Sequence, residues 1–300
     1  MDIKREILRL KRERNAIILA HNYQRPEVQD VADFVGDSLE LAIKASRTEA
    51  NIIVFAGVRF MAETAKILSP ERTVLLPNYR AGCPMADMVT PEDVRELRKK
   101  YPEAAFVAYV NTTAEVKAEI DICCTSANAV KIVESLPQKQ VVFLPDRNLA
   151  HWVSTQVKDR EIIPFDGYCY VHNGFTLKDL LKARKEHPEA EVLAHPESPP
   201  EVVENADFVL STSGMIRHAK RSRAREFIIF TEFGLSYRLK KENPEKEFYS
   251  PGPPRFCGNM KLTTIDDVHN SLLNLQHEIV LSQDIMERAR ESLEKMVEVI

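Results

Sequence analysis

No apolar run in this chain approaches the roughly 20 residues that a membrane-spanning helix requires. There is no surplus of basic charge either. Lysine and arginine number 41 against 45 aspartates and glutamates, a net charge of −4, so the chain lacks the electropositive field that holds a nucleic-acid backbone. The charged runs "LKRERN", "RELRKKYPE" and "KARKEHPEAE" read as solvated helix faces. An export signal is missing too: "MDIKREILRLKRERN" mixes acids with its bases at amphipathic spacing and reads as a helix. Cysteine is scarce, with five in 300 residues. An odd count without an export signal argues against a disulfide framework and for a reducing, cytoplasmic setting. Either those cysteines are inert core residues or some of them bind metal. A hydrophobic content of 44% is ample for a substantial core.

What the chain does have is a repeat. "LAHNYQRPEVQDVADFVGDS" from Leu19, "VAYVNTTAEVKAEIDICCTS" from Val107 and "LAHPESPPEVVENADFVLST" from Leu193 align without a gap. His21, Tyr109 and His195 fall in register, 88 and 86 residues apart. Glu27, Glu115 and Glu201 follow in phase, then Asp33, Asp121 and Asp207, then Ser38, Ser126 and Thr212. Each unit continues into another apolar strand, "NIIVFAGV", "QVVFLPDR" or "EFIIFTEF". Each unit therefore reads helix, strand, polar loop, helix, strand, which predicts parallel β/α sheets. The expected fold class is α/β: three homologous parallel-sheet α/β/α lobes related by pseudo-threefold symmetry around a central active site. The lobes are expected at residues 1–87, 88–173 and 174–260. Residues 261–300 are expected to form a C-terminal helical segment whose first helix is equivalent to the lobe-entry helices.

Cys83, Cys169 and Cys257 obey the same phase. Each precedes a T-x-x-D box by seven residues: Thr90 with Asp93, Thr176 with Asp179, Thr264 with Asp267. The boxes predict capped helices, so each cysteine lies in a loop entering a helix, where site residues are carried on a rigid frame. Cys123 and Cys124 fall outside the phase, in the apolar "DICCTS", and read as core. Ligands of parallel α/β units gather beyond the carboxyl ends of strands. If strand alternation holds there, His21 with Tyr23, Tyr109 with Asn111, and His195 with Glu197 form three pairs facing one cavity. Ser38, Ser126 and Thr212 are expected as helix N-caps, as anion cradles, or as both. Three thiolates in threefold phase leave two centres open at this point. One is a cubane [4Fe–4S] cluster with one uncovered iron acting as a Lewis acid. The other is zinc with three cysteines and a water, as in a zinc hydrolase. A non-catalytic iron–sulfur sensor is a further alternative.

The strings "LAHNYQ…DVADFVGDSLELA", "GCPMA", "YVNTTAEVKA…CTSANAV", "PDRNLA", "HPE…ADFVLSTSGM" and "CGNMK", running from about residue 17 to 276, resemble quinolinate synthase, the A protein of bacterial and archaeal NAD biosynthesis. The resemblance implies a three-lobed fold with one [4Fe–4S] cluster on Cys83, Cys169 and Cys257. It implies condensation of iminoaspartate with dihydroxyacetone phosphate to quinolinate, with loss of phosphate and two waters. It also implies substrate contacts at His21, Ser38, Tyr109, Val110, Asn111, Ser126, His195, Pro196, Glu197 and Thr212. Tyr23 and Glu197 are the expected proton carriers, with His21, Tyr109 and His195 as positioning or relay groups. The expected partners are those small molecules and, transiently, the enzyme that produces iminoaspartate, with no nucleic acid and no membrane. The family often has "CPVH" at the second cysteine; this chain has "CYVHN", with Cys169 and His172 in the matching places. The Pro/Gly-rich "YSPGPPRFCGN" is expected as a lid.

Overall fold

The computed structural model describes residues 2–299. Twelve strands form three four-stranded parallel sheets. The first sheet holds β1 (Ala16–His21), β2 (Phe34–Gly36), β3 (Ile52–Ala56) and β4 (Thr73–Leu75) in the order β2-β1-β3-β4. The second holds β5 (Ala105–Tyr109), β6 (Ile122–Cys124), β7 (Gln140–Leu144) and β8 (Glu161–Pro164), ordered β6-β5-β7-β8. The third holds β9 (Glu191–Ala194), β10 (Phe208–Val209), β11 (Glu226–Phe230) and β12 (Glu247–Tyr249), ordered β10-β9-β11-β12. The repeat persists in the pairing register: Leu19 faces Phe34, Val107 faces Ile122, and Leu193 faces Phe208.

The phased aspartates explain part of that regularity. Asp33, Asp121 and Asp207 accept the backbone N–H of Ile18, Phe106 and Val192 at 2.8, 2.7 and 2.7 Å. Each also donates its own N–H to the carbonyl of the same strand residue. Each carboxylate is then paired by a cation from the preceding helix: Lys11, Arg98 or Arg184. The motif thus clamps the first strand of every lobe to the turn before the second. Asp207→Ala leaves the Val192 N–H without its acceptor, an expected loss of about 1 kcal/mol, readable as a melting point roughly 2 °C lower.

Alternation along the strands divides the core. Leu19, Phe55, Val107, Phe143, Leu193 and Phe227 join one cluster shared by all three sheets. Their strand neighbours Ile18, Phe106 and Val192 belong to three separate clusters, each under its own lobe's helices. Both faces of each sheet are therefore covered, as parallel sheets require, and the shared face welds the lobes together. Cys123 and Cys124 are fully buried in this interior on β6, as their apolar context predicted.

All three T-x-x-D boxes form reciprocal capping boxes, on the helices Pro91–Lys100, Leu177–Glu186 and Ile265–Asn274. The last of these returns to the first lobe, against helix Ile3–Glu13 and β3. The final helix, Gln283–Glu298, runs along β6 and covers an edge strand whose free groups would otherwise invite pairing. Asn128 ties its end down through the carbonyls of Met296 and Val299. Among the described residues no helix is long and apolar enough to cross a membrane.

Candidate active site

One cavity of about 70 Å³ lies where the three lobes meet. Cys83, Cys169 and Cys257 line it, together with His21, Tyr23, Ser38, Tyr109, Asn111, Ser126, His195, Glu197 and Thr212. Of the residues expected at the site, Val110 and Pro196 are not among its lining. Val110 borders a small adjoining void, and its N–H is taken by the Cys124 carbonyl. The expected lid contributes only Cys257 to the lining, and the Arg255 carbonyl just before it is held by the Phe233 N–H.

The three cysteine loops share one construction. Each cysteine carbonyl accepts the backbone N–H of the fourth residue on: Asp87, Asn173 or Lys261. Each of those residues lies in a short 3₁₀ turn. The loops are tied back in phase as well, with the N–H of Arg59, Arg147 and Phe233 donating to the carbonyls of Ala81, Gly167 and Arg255. Two lobes add a buried carboxylate. Asp146 accepts the Cys169 N–H and Glu232 the Cys257 N–H, both at 3.1 Å. The phase-equivalent residue of the first lobe is Val58. Glu232 is also paired with Lys261 at 2.9 Å. Asp146 and Glu232 were not singled out from sequence. Their signal was present, since both lie two residues beyond an in-phase strand.

The donor set fits a multi-iron centre better than a single ion on three thiols. Zinc with Zn–S bonds of about 2.3 Å would draw three sulfurs to within about 4 Å of one another. Among the described residues, however, the one trio of candidate ligand atoms all within 4.8 Å is Cys169, His172 and Glu197. The three sulfurs border one space without closing on a point. Burial pushes the Cys83 thiol up to about 12 and raises Cys169 and Cys257 as well, so it takes a bound cationic centre to hold them as thiolates.

The Cys169–His172–Glu197 trio is itself a hydrogen-bonded network. Glu197 Oε2 lies 2.9 Å from His172 Nδ1 and 3.1 Å from His195 Nδ1. Burial alone would raise the Glu197 carboxyl, but the two histidines override it and hold the group well below the usual range. An ionised Glu197 makes both Nδ1 atoms donors, so the 3.4 Å approach of the Glu197 N–H to His195 Nδ1 is not a bond. His172 Nε2 then accepts from Thr231 at 2.8 Å, and Thr231 accepts from the Tyr23 hydroxyl at 2.5 Å. A chain of exchangeable protons thus links Tyr23 to Glu197 through Thr231 and His172. Thr231 was missed from sequence because its role depends on a partner 59 residues away.

Burial, the neighbouring His195 and the Lys261 cation push His21 down to about 3. Its Nδ1 accepts the Tyr23 N–H at 3.2 Å, leaving Nε2 to carry the proton. Burial and then the Glu197 charge raise both Tyr23 and Tyr109 well above the ordinary phenol range. Both are therefore neutral donors. The three pairs do converge, but not by strand alternation. β1 ends at His21, β5 at Tyr109 and β9 at Ala194, so the second member of each pair sits in the turn beyond.

Two of the three predicted helix caps lie one residue too late, and the third, Ser126, lies two residues too early. Asp37 caps the helix Ser38–Ser46 and Ser211 caps Thr212–Arg221. The in-phase Thr125 closes the turn that precedes helix Ala129–Ser135, whose N-cap is Asn128. The helix ends are thus partly spent on side chains rather than open to anions. Ser38, Ser126 and Thr212 line the cavity, with the Thr212 hydroxyl accepting from Asn22 Nδ2 at 2.9 Å. Two buried acceptors at the cavity have no partner: Glu197 Oε1 and Asn111 Oδ1. Native proteins rarely leave such atoms unpaired, so both mark places where a ligand completes the bonding.

The model of the quinolinate synthetase A protein family (NadA) matches residues 5–298. The chain belongs to that family. It is 54% identical to the quinolinate synthase of Aquifex aeolicus over 302 aligned positions, covering 99% of this chain and 94% of that protein. The quinolinate synthase of Pyrococcus abyssi is 52% identical, with 99% of both chains covered. That of Caldicellulosiruptor saccharolyticus is 54% identical, covering 99% of this chain and 98% of the relative. Family membership and the three-thiol cavity were reached independently, one from the whole chain and the other from the lobe interface.

Proposed function

We propose that this protein condenses iminoaspartate with dihydroxyacetone phosphate to quinolinate, releasing phosphate and two waters. The observation that carries the reading is one enclosed space bordered by three phased thiols and by a buried carboxylate, Glu197, with one oxygen unpaired. Cys83, Cys169 and Cys257 would hold a [4Fe–4S] cluster, which when bound supplies a Lewis-acidic iron for removing hydroxide in the dehydrations.

The chain's own side chains do the remaining work. Ser38, Ser126, Thr212 and Asn111 present polar groups to the substrate carboxylates from all three lobes. Neutral His21 and Tyr109 donate hydrogen bonds without adding charge. Glu197 Oε1 is the acceptor for a proton leaving carbon or nitrogen. Tyr23 is the donor at the other end, recharged through Thr231 and His172. His195 keeps Glu197 ionised and aimed. An imine is hydrolysed by water, which favours direct handover from the enzyme that makes it and a cavity closed to solvent. A cluster with an uncovered iron suits a reducing cytoplasm.

Anaerobic purification with iron and sulfide analysis, followed by a quinolinate assay, tests the whole reading. About four irons and four sulfides per chain, with quinolinate formed, is the expected result. A colourless zinc protein that forms no quinolinate would end it. Thr231→Val keeps the side-chain shape but cuts the relay. Turnover should fall by about 10²-fold with the chromophore intact, and undiminished turnover would remove Thr231 from the path.

A further inference from the structure

Tyr170 stands where the family's "CPVH" context has proline. It follows Cys169 directly, yet its hydroxyl reaches the third lobe, where it accepts the Gly258 N–H, one residue past Cys257, at 2.9 Å. A phenol has one proton to give. With the Gly258 N–H as the donor to its oxygen, that proton is left available to the neighbouring Cys257 sulfur, whose ionised form the phenol favours. The ring is 43% exposed and is absent from the cavity lining, so the contact is made from the solvent side. The loops it joins are already rigid at their backbones, Cys169 on Asp146 and Cys257 on Glu232.

We propose that Tyr170 is a positioning residue for the thiolate centre, tying the Cys257 loop to the Cys169 loop and withdrawing charge from the Cys257 sulfur. The proposal rests on the cluster reading above. A hydrogen bond to a ligating sulfur stabilises the reduced, more negative centre and so raises its potential. It also slows release of the metal, because the loop must break the bond before opening.

The test compares reconstituted wild type with Tyr170→Phe under anaerobic conditions. The two measurements are the midpoint potential, followed by electron paramagnetic resonance, and the rate of iron transfer to a chelator. Tyr170→Phe should have a lower potential and release iron about tenfold faster, the usual scale for losing one hydrogen bond to a charged acceptor. Tyr168→Phe serves as control. Its ring flanks the same cysteine but lies under the Arg147 guanidinium, and both readings should match wild type. A Tyr170→Phe protein that melts with the wild type but takes up no cluster also supports the assignment. Equal potential and equal release in Tyr170→Phe and wild type would overturn it while leaving the proposed function intact. Wild type that takes up no cluster would overturn both.

Discussion

Serine substituted singly for Cys83, Cys169 or Cys257 is expected to give a folded, colourless protein that forms no measurable quinolinate. The exchange replaces the sulfur by a smaller oxygen and takes nothing from the backbone, so each 3₁₀ turn and its tie to the preceding strand should survive. What is lost is the soft, readily ionised sulfur. A serine hydroxyl does not deprotonate at neutral pH and is a poor partner for iron, whereas a thiol gives up its proton on coordination. Each lobe offers one such sulfur to the cavity, so no neighbour can substitute. Cys124→Ser makes a contrasting control. That side chain is fully buried on β6, so the change should lower stability while the visible absorption remains. The visible absorption of the anaerobically purified protein is the measurement. A full-strength spectrum in any one of the three serine variants would withdraw that cysteine from the ligand set.

Glu197→Gln is expected to lower turnover by about 10²–10⁴-fold, the usual contribution of a general acid–base group, without bleaching the protein. The amide can turn its oxygen towards the two Nδ1 donors and so preserve the contacts to His172 and His195. Its NH₂ then occupies the place of Oε1, the atom left unpaired at the cavity. An acceptor becomes a donor at that point, and the ionised group that takes up a proton is gone. Substrate affinity should change less than kcat, because the hydroxyl and amide groups of the other lobes remain. Unaltered kcat would take Glu197 out of the proton chemistry and leave it a structural partner of the two histidines.

The chemistry-bearing residues were legible to different degrees. The thiols were plain, because phase in a repeat reports spatial equivalence without any coordinates. Two caps were misplaced by one residue and the third by two. "GDSLE" and "LSTSG" each offer adjacent capping side chains, and only the backbone turn decides that Asp37 and Ser211 take the role. The strand-end pairs line one cavity, though not through strand alternation, since the strands stop before the second member of each pair. Thr231 gave no signal of its own, and Asp146 and Glu232 gave only their place two residues beyond an in-phase strand. Their importance lies in what faces them, a histidine nitrogen or a cysteine amide from a loop more than twenty residues away.

By itself the sequence determined the triplication, the parallel α/β lobes, the capped entry helices and the three cysteines that share a phase. All of these are written in local periodicity and spacing, which a linear chain carries directly. Only the tertiary structure decided the proton chain from Tyr23 to Glu197, the placing of the helix caps off Ser38, Ser126 and Thr212, and the reach of Tyr170 across two lobes. Those depend on distances between atoms far apart in the chain, and such distances are set when three sheets bury their common face.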